Sequence, residues 1–206
     1  MHEPWRAALS VCDIALGREA ALRLFPAREQ EATLLLQAAD AGLNAPVTTS
    51  MGRLFDAIAS IAGIRETVSF EGQAAITLEQ IADETEQDAY EFAILRENGR
   101  WIYDWRPVVK RAILDAANGV PAGNVSMRFH RGLAKLLGTA AETHRTETGC
   151  DVVALSGGCF QNELLLKLGV EALESRGFTV CINRQVPCND GGISYGQAAV
   201  AARLYK

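Results

Sequence analysis

Little in this chain is arranged to hold a metal or to meet a membrane or a nucleic acid. Its five cysteines, Cys12, Cys150, Cys159, Cys181 and Cys188, include no C-x-x-C pair, and the three histidines are not spaced to complete a zinc set. An odd number of cysteines in an otherwise ordinary composition suggests reduced thiols and a cytoplasmic setting. No apolar run approaches the ~20 residues that span a bilayer, so no membrane partner is expected. The start, MHEPWRAALSVCDIAL, lacks a basic segment followed by a clean apolar one, which argues against a secretory signal. Basic residues are scattered, and 20 Lys and Arg against 25 Asp and Glu give a formal net charge of -5. That balance leaves no electrostatic footprint for nucleic acid.

What is present is a globular composition, 49% hydrophobic over 206 residues, enough for one or two domains with a real core. The first half reads as helices. EPWRAALSVCDIALGREAALRLF carries helical apolar spacing interrupted at Gly17 and closed by Pro26, and REQEATLLLQAADAGLNAP ends at Gly42 and Pro46. VTTSMGRLFDAIASIAGI offers a Thr/Ser cap region before an amphipathic helix with Leu54, Phe55, Ile58 and Ile61 on its apolar side. ETVSFEGQAAITLEQIADET is expected to open with a short extended run, turn at Glu71-Gly72 and continue as a helix. AYEFAILRENGRWIYDW predicts a hairpin turning at Asn98-Gly99. Two further helices follow, one with Pro107 in its first turn. The tail, from DVVALS to the end, reads β-α-β-α, which implies parallel strands joined by a right-handed crossover.

Two glycine-rich turns follow those strands, LSGGCFQN and CNDGGISYG. In open α/β sheets ligands bind beyond the carboxyl ends of the strands, where glycine lets the backbone approach an anion and the next helix offers free N–H groups. Gly157, Gly158 and Asn162 are therefore candidates to face a phosphate-bearing ligand; the ordinary alternative is a tight strand-to-helix turn. Asp190 has the ordinary role of capping the next helix. A carboxylate beside bound phosphate would instead call for an intervening divalent cation. Cys159, at a helix N-terminus, could be an activated thiol, although small buried cysteines are commoner. His130 and His144 have packing or surface roles on one amphipathic helix. Gly52 and Asp56, one helical turn apart, share a face; Asp56 could accept both hydroxyls of a ribose or could be a solvated helix residue.

In this order, the runs SMGRLFDA, EGQAA, WIYDWRPVV, SMRFHRGLA, SGGCFQN and NDGG resemble the C-terminal part of the HypF carbamoyltransferases. The resemblance extends over essentially the whole chain. It implies an α/β fold, the second lobe of an actin/hsp70/sugar-kinase-like domain similar to the TsaD protein of tRNA threonylcarbamoyladenosine synthesis. Residues 1–206 are then one incomplete domain, with the first lobe and the YrdC-like, zinc-finger and acylphosphatase-like domains absent. The resemblance further implies ATP and carbamoyl-adenylate as ligands, a divalent metal (Mg, Zn or Fe), and HypE, whose C-terminal cysteine accepts the carbamoyl group for the cyanide ligand of [NiFe] hydrogenase. Carried over by motif, Gly52, Asp56, Gly157, Gly158 and Asn162 face the nucleotide and Asp190 the metal. The histidine ligands and a phosphate loop lie in the first lobe, so the chain alone is expected to bind adenine nucleotide weakly at most and to transfer nothing. No general base is identifiable. An O-carbamoyltransferase acting on a small molecule and a non-catalytic interaction lobe stand as alternatives.

Overall fold

The computed structural model describes residues 2–205. The chain divides into two compact units, Met1–Gly132 and Leu133–Lys206. Among the described residues no helix is long and apolar enough to cross a membrane.

The first unit is built around helix α1 (Pro4–Leu16), with Pro4 where its missing N–H costs nothing. Gly17, at φ 88°, ends it and lets α2 (Arg18–Arg23) leave in a new direction. The Arg18 guanidinium forks to Asp13 and to Asp40, the last residue of α3 (Glu29–Asp40), tying the ends of three helices together. Helices α4 (Met51–Ile61), α5 (Gln73–Gln80) and α6 (Arg106–Ala117) complete the bundle. Trp5, Leu9 and Cys12 of α1, Phe55 and Ile58 of α4, Leu78 of α5 and Val108 and Val109 of α6 are buried. Within α1 and α4 these residues recur at intervals of three and four, the periodicity that turns one stripe of a helix inward. A long helix, α7 (Ala122–Thr148), gives its first eleven residues to this unit, and its Phe129 ring meets Phe55 edge-on at 4.9 Å.

The hairpin appears as expected, β1 (Ala93–Glu97) and β2 (Arg100–Asp104) paired antiparallel across Asn98 and Gly99. Both turn residues have positive φ, 51° and 77°, which is what Asn-Gly is suited to. The extended run expected around Val68 is not a strand. Its Val68 N–H donates to the His2 carbonyl at 2.9 Å and the Trp5 N–H reaches the Glu66 carbonyl at 3.4 Å, bonds that do not build a strand.

The second unit contains the rest of α7, β3 (Val152–Leu155), α8 (Glu163–Glu174), β4 (Thr179–Ile182) and α9 (Ile193–Leu204). The strands pair in parallel, Val152 opposite Thr179 through Leu155 opposite Ile182, as the β-α-β reading required. Leu155, Leu173 and Phe178 form the core, with Val153, Val180, Leu166 and Ala141 packed against it. The Arg145 guanidinium lies 4.1 Å over the Phe178 ring. Gly169 admits α7 closely: a Cβ there would come 3.1 Å from Leu137.

Burial sorts the thiols. Cys12 is fully enclosed and its pKa is pushed up to about 12 by desolvation, whereas Cys150 and Cys181 are exposed. A native-state titration with an aromatic disulfide reagent is expected to modify Cys150 and Cys181 quickly and Cys12 only after denaturant is added. Fast labelling of Cys12 in the folded protein would contradict this packing.

Candidate functional site

The two glycine turns of the second unit lie side by side. The first follows β3 and passes through a short 3-10 turn, Gly158–Gln161, into α8; the second follows β4 and passes through another, Asp190–Gly192, into α9. They are joined by a backbone hydrogen bond: the Gly157 N–H donates to the Cys188 carbonyl at 2.8 Å. Parallel pairing of β3 and β4 places both turns at the carboxyl ends of the strands, where the sequence motifs had put a ligand.

The glycines differ in why they are glycine. Gly157 sits at φ 101° and ψ 160°, a region closed to residues with a Cβ. Gly192 is held by packing, since a Cβ would lie 2.5 Å from the Pro187 carbonyl oxygen. Gly158 has neither reason: its φ is ordinary and a Cβ would meet nothing within 4 Å. In the first unit Gly52 is similar, with only the Ser50 hydroxyl at 3.6 Å, an ordinary van der Waals distance. Gly52 is the second residue of α4, and packing within the fold gives no reason for its lack of a side chain.

Asn162 is nine-tenths buried and caps α8, its side-chain oxygen accepting from the Leu165 N–H at 2.7 Å. The amide that motif matching set against the nucleotide thus has its oxygen turned into its own helix. Capping at the second turn falls to Asn189, whose side chain accepts from the Gly191 N–H at 3.0 Å, and not to Asp190. The Asp190 side chain is exposed and makes no hydrogen bond or ion pair among the described residues.

One carboxylate is a poor fit for a divalent ion, which takes several oxygen or nitrogen donors. Among the described residues no group of three or more His, Cys, Asp and Glu is placed to hold a metal. His130 is instead a buried side chain of the first unit, beside Phe55 and Phe129. The metal expected from the resemblance therefore finds no such set of donors among the described residues, and no chemical step is derived from it.

In the first unit, Asp56 and Gly52 lie on α4, and Arg53 Nη1 donates to Asp56 Oδ2 at 2.8 Å. Burial raises the Asp56 pKa; the Arg53 charge opposes this, and Glu71, from the EGQAA run, adds to it. SMGRLFDA and EGQAA, separate along the chain, thus form one electrostatic neighbourhood. In the sequence Arg53 lies with Gly52 and Asp56 within little more than one helical turn but takes no role of its own, because a helical i,i+3 pair looks like surface decoration. A broad, open, polar depression of about 670 Å³ lined by Pro26, Arg28, Glu31 and Glu66 holds none of the candidate residues.

This fold, with its paired turns, is that of a Kae1-like carbamoyltransferase domain: residues 1–197 match the family described as carbamoyltransferase, Kae1-like domain, second subdomain. The chain belongs to the carbamoyltransferase HypF family. It is 40% identical to carbamoyltransferase HypF of Synechocystis sp. over 164 residues, 78% of this chain and 21% of that protein. Against HypF of Rhodobacter capsulatus it is 39% identical over 209 residues, 97% of this chain and 25% of the relative. A crystal structure of full-length HypF in a phosphate- and nucleotide-bound form superposes with a TM-score of 0.92 at 36% identity, over 100% of this chain and 27% of that one. The chain thus spans about a quarter of the length of these relatives.

Proposed function

We propose that this chain supplies the nucleotide-facing second subdomain of a carbamoyltransferase, one that passes a carbamoyl group from carbamoyl-adenylate to the C-terminal cysteine of HypE. The observation that carries the reading is the pair of glycines the fold does not need. Gly158 lies where two strand-end turns meet and Gly52 opens the helix that bears Asp56. A missing side chain with open space in front of it suits close approach of a ligand to the backbone. Membership of a family with a nucleotide-bound relative points to the ligand.

In the reaction, the HypE thiolate attacks the carbamoyl carbon, the C–S bond forms, and the carbon–oxygen bond to the adenylate phosphate breaks as AMP leaves with the electron pair. The mixed anhydride is already activated, so the protein's tasks are orientation and stabilisation of developing negative charge. Backbone groups around Gly157 and Gly158 bear on the nucleotide. Asn162 acts through its cap, fixing the start of α8 and so the direction of the amides before it. Asp56, accompanied by Arg53, accepts hydrogen bonds from the ribose hydroxyls.

The test is Gly158→Val in a full-length HypF into which this subdomain has been grafted. Among the described residues nothing packs against that position, so in the 206-residue chain the unfolding free energy is expected to stay within about 0.5 kcal/mol of the parent. Adenine-nucleotide affinity is expected to fall by roughly tenfold or more, about 1.4 kcal/mol, by calorimetry. Unchanged affinity in a folded variant would remove Gly158 from the site.

A further inference from the structure

Arg53 stands where helix α4 has least use for a cation. It is the third residue of the helix, in a first turn that contains no acidic side chain. Unpaired N–H groups make that end of a helix positive, so a guanidinium there is disfavoured. The ion pair with Asp56 offers little stability in return. Arg53 precedes its carboxylate along the helix, the less favourable order, and its side chain is 30% exposed.

The carboxylate it meets is the more enclosed partner. Asp56 shows 13% of its side chain, and its Oδ2 receives Arg53 Nη1 at 2.8 Å. Helical side chains lean toward the N-terminus, so Asp56 reaches over the turn that carries Gly52 and Arg53. One of these two neighbours is a cation that grips Oδ2. The other has no side chain, and a Cβ at Gly52 would find only the Ser50 hydroxyl, at 3.6 Å. Asp56 Oδ1 has no hydrogen-bond partner among the described residues. Burial works against the charged form of the carboxyl, and the Arg53 charge works for it. The arginine thus pins one oxygen of an ionised group, while the bare position beside it leaves room for a ligand at the other.

We propose that Arg53 is a positioning residue that sets sugar specificity: by holding Oδ2 it aims Asp56 Oδ1 at the vicinal diol of a ribose, so that nucleotides lacking the sugar hydroxyls are rejected. The inference rests on the reading of Asp56 as the ribose acceptor and adds the residue that makes this carboxylate selective. A carboxylate free to turn settles on whichever donor is offered, water included. One pinned at a single oxygen rewards only a hydroxyl in the right place. A dideoxyribose then leaves a half-buried acceptor without its donor, a loss larger than the worth of an ordinary contact.

The test is calorimetric titration of full-length Synechocystis HypF carrying this subdomain with ATP and with 2′,3′-dideoxy-ATP. The parent is expected to prefer ATP by roughly tenfold or more, the scale of a hydrogen bond to a charged group, and Asp56→Asn to lose the preference. Arg53→Ala is expected to lose it as well, through weaker binding of ATP and unchanged binding of the dideoxy analogue. Arg53→Lys is expected to keep most of it, since the pair uses a single N–H that an ammonium can replace. Melting temperatures of both Arg53 variants are expected to match the parent, because the pair is partly exposed. A merely structural role would instead weaken both nucleotides together. An Arg53→Ala protein that keeps the preference, or that loses affinity for both nucleotides alike, would overturn the proposal while Asp56 stands as the ribose acceptor. A parent without the preference would remove Asp56 from the ribose, and the role of Arg53 with it.

Discussion

Asp115→Ala is expected to remove about 3–5 kcal/mol of unfolding free energy, the range for breaking a buried ion pair from one side. Asp115 is 2% exposed on α6. Its Oδ2 accepts from the Tyr90 hydroxyl at 2.9 Å and from Arg128 Nη1 at 2.8 Å, and its Oδ1 pairs with Arg111 at 3.1 Å. The Arg128 guanidinium, in turn, holds Glu86 at 2.8 Å, which also accepts from Asn124 at 3.0 Å. Removing the carboxylate leaves a buried phenol without its acceptor and a nearly buried guanidinium one carboxylate short. The resulting penalty is desolvation, which exceeds the net worth of the bonds themselves. The double variant Asp115→Leu, Arg128→Met strands Glu86 as well as the Tyr90 phenol and is therefore expected to be at least as damaging as Asp115→Ala alone. Urea unfolding with a constant slope checks both statements; a loss under about 1 kcal/mol for Asp115→Ala would show the network to be idle.

That network marks the limit of what the sequence discloses. Helix periodicity located the helices because Trp5, Leu9, Phe55, Ile58 and their neighbours repeat at the spacing that makes one face apolar. Asn98-Gly99 gave the hairpin because that dipeptide accepts two positive φ values in succession. Asp115 and Arg128, by contrast, look like the polar positions of amphipathic helices. Only tertiary packing, which lays Tyr90 N–H against the Arg128 carbonyl at 2.9 Å, encloses them. Gly132 belongs to the same story, because a Cβ there would collide with the Tyr90 carbonyl, and no local pattern announces that approach.

The placement of the two glycine turns was legible, their detail less so. Alternation of strand and helix was enough to put LSGGCFQN and CNDGGISYG at the same ends of parallel strands, and the Gly157–Cys188 hydrogen bond joins them. Which polar side chain each turn uses for its own cap was not legible, since Asn and Asp serve equally well in that role. Asn162 and Asn189 took the caps, and Asp190 was left without a partner among the described residues. The Arg53–Asp56 pair needed coordinates because i,i+3 spacing permits an ion pair without requiring one.

Stability is expected to fall by about 2 kcal/mol between pH 7 and pH 5 through His130 alone. This side chain is fully buried against Phe55, with Nδ1 2.8 Å from the Ser126 carbonyl and 3.3 Å from the Ser126 hydroxyl. Burial disfavours the imidazolium and lowers the pKa from 6.5 to about 4, the Ser126 carbonyl opposing the shift. Folded and unfolded chains both hold neutral imidazole above the unfolded value, so the full stability is present there. As pH falls below 6.5 the unfolded chain takes up a proton that the folded chain refuses, and unfolding becomes easier by about 1.4 kcal/mol per pH unit. The loss levels off once pH passes the folded value near 4. Glu86, held down to about 2 chiefly by the Asp88 N–H, loses its contribution only below the ordinary carboxylate range, so the two windows separate. His130→Gln is expected to be less stable at pH 7 but to have a nearly level profile from pH 7 to pH 5. Urea midpoints across that interval provide the measurement, and a parent protein as level as the variant would show that His130 is protonated within the fold.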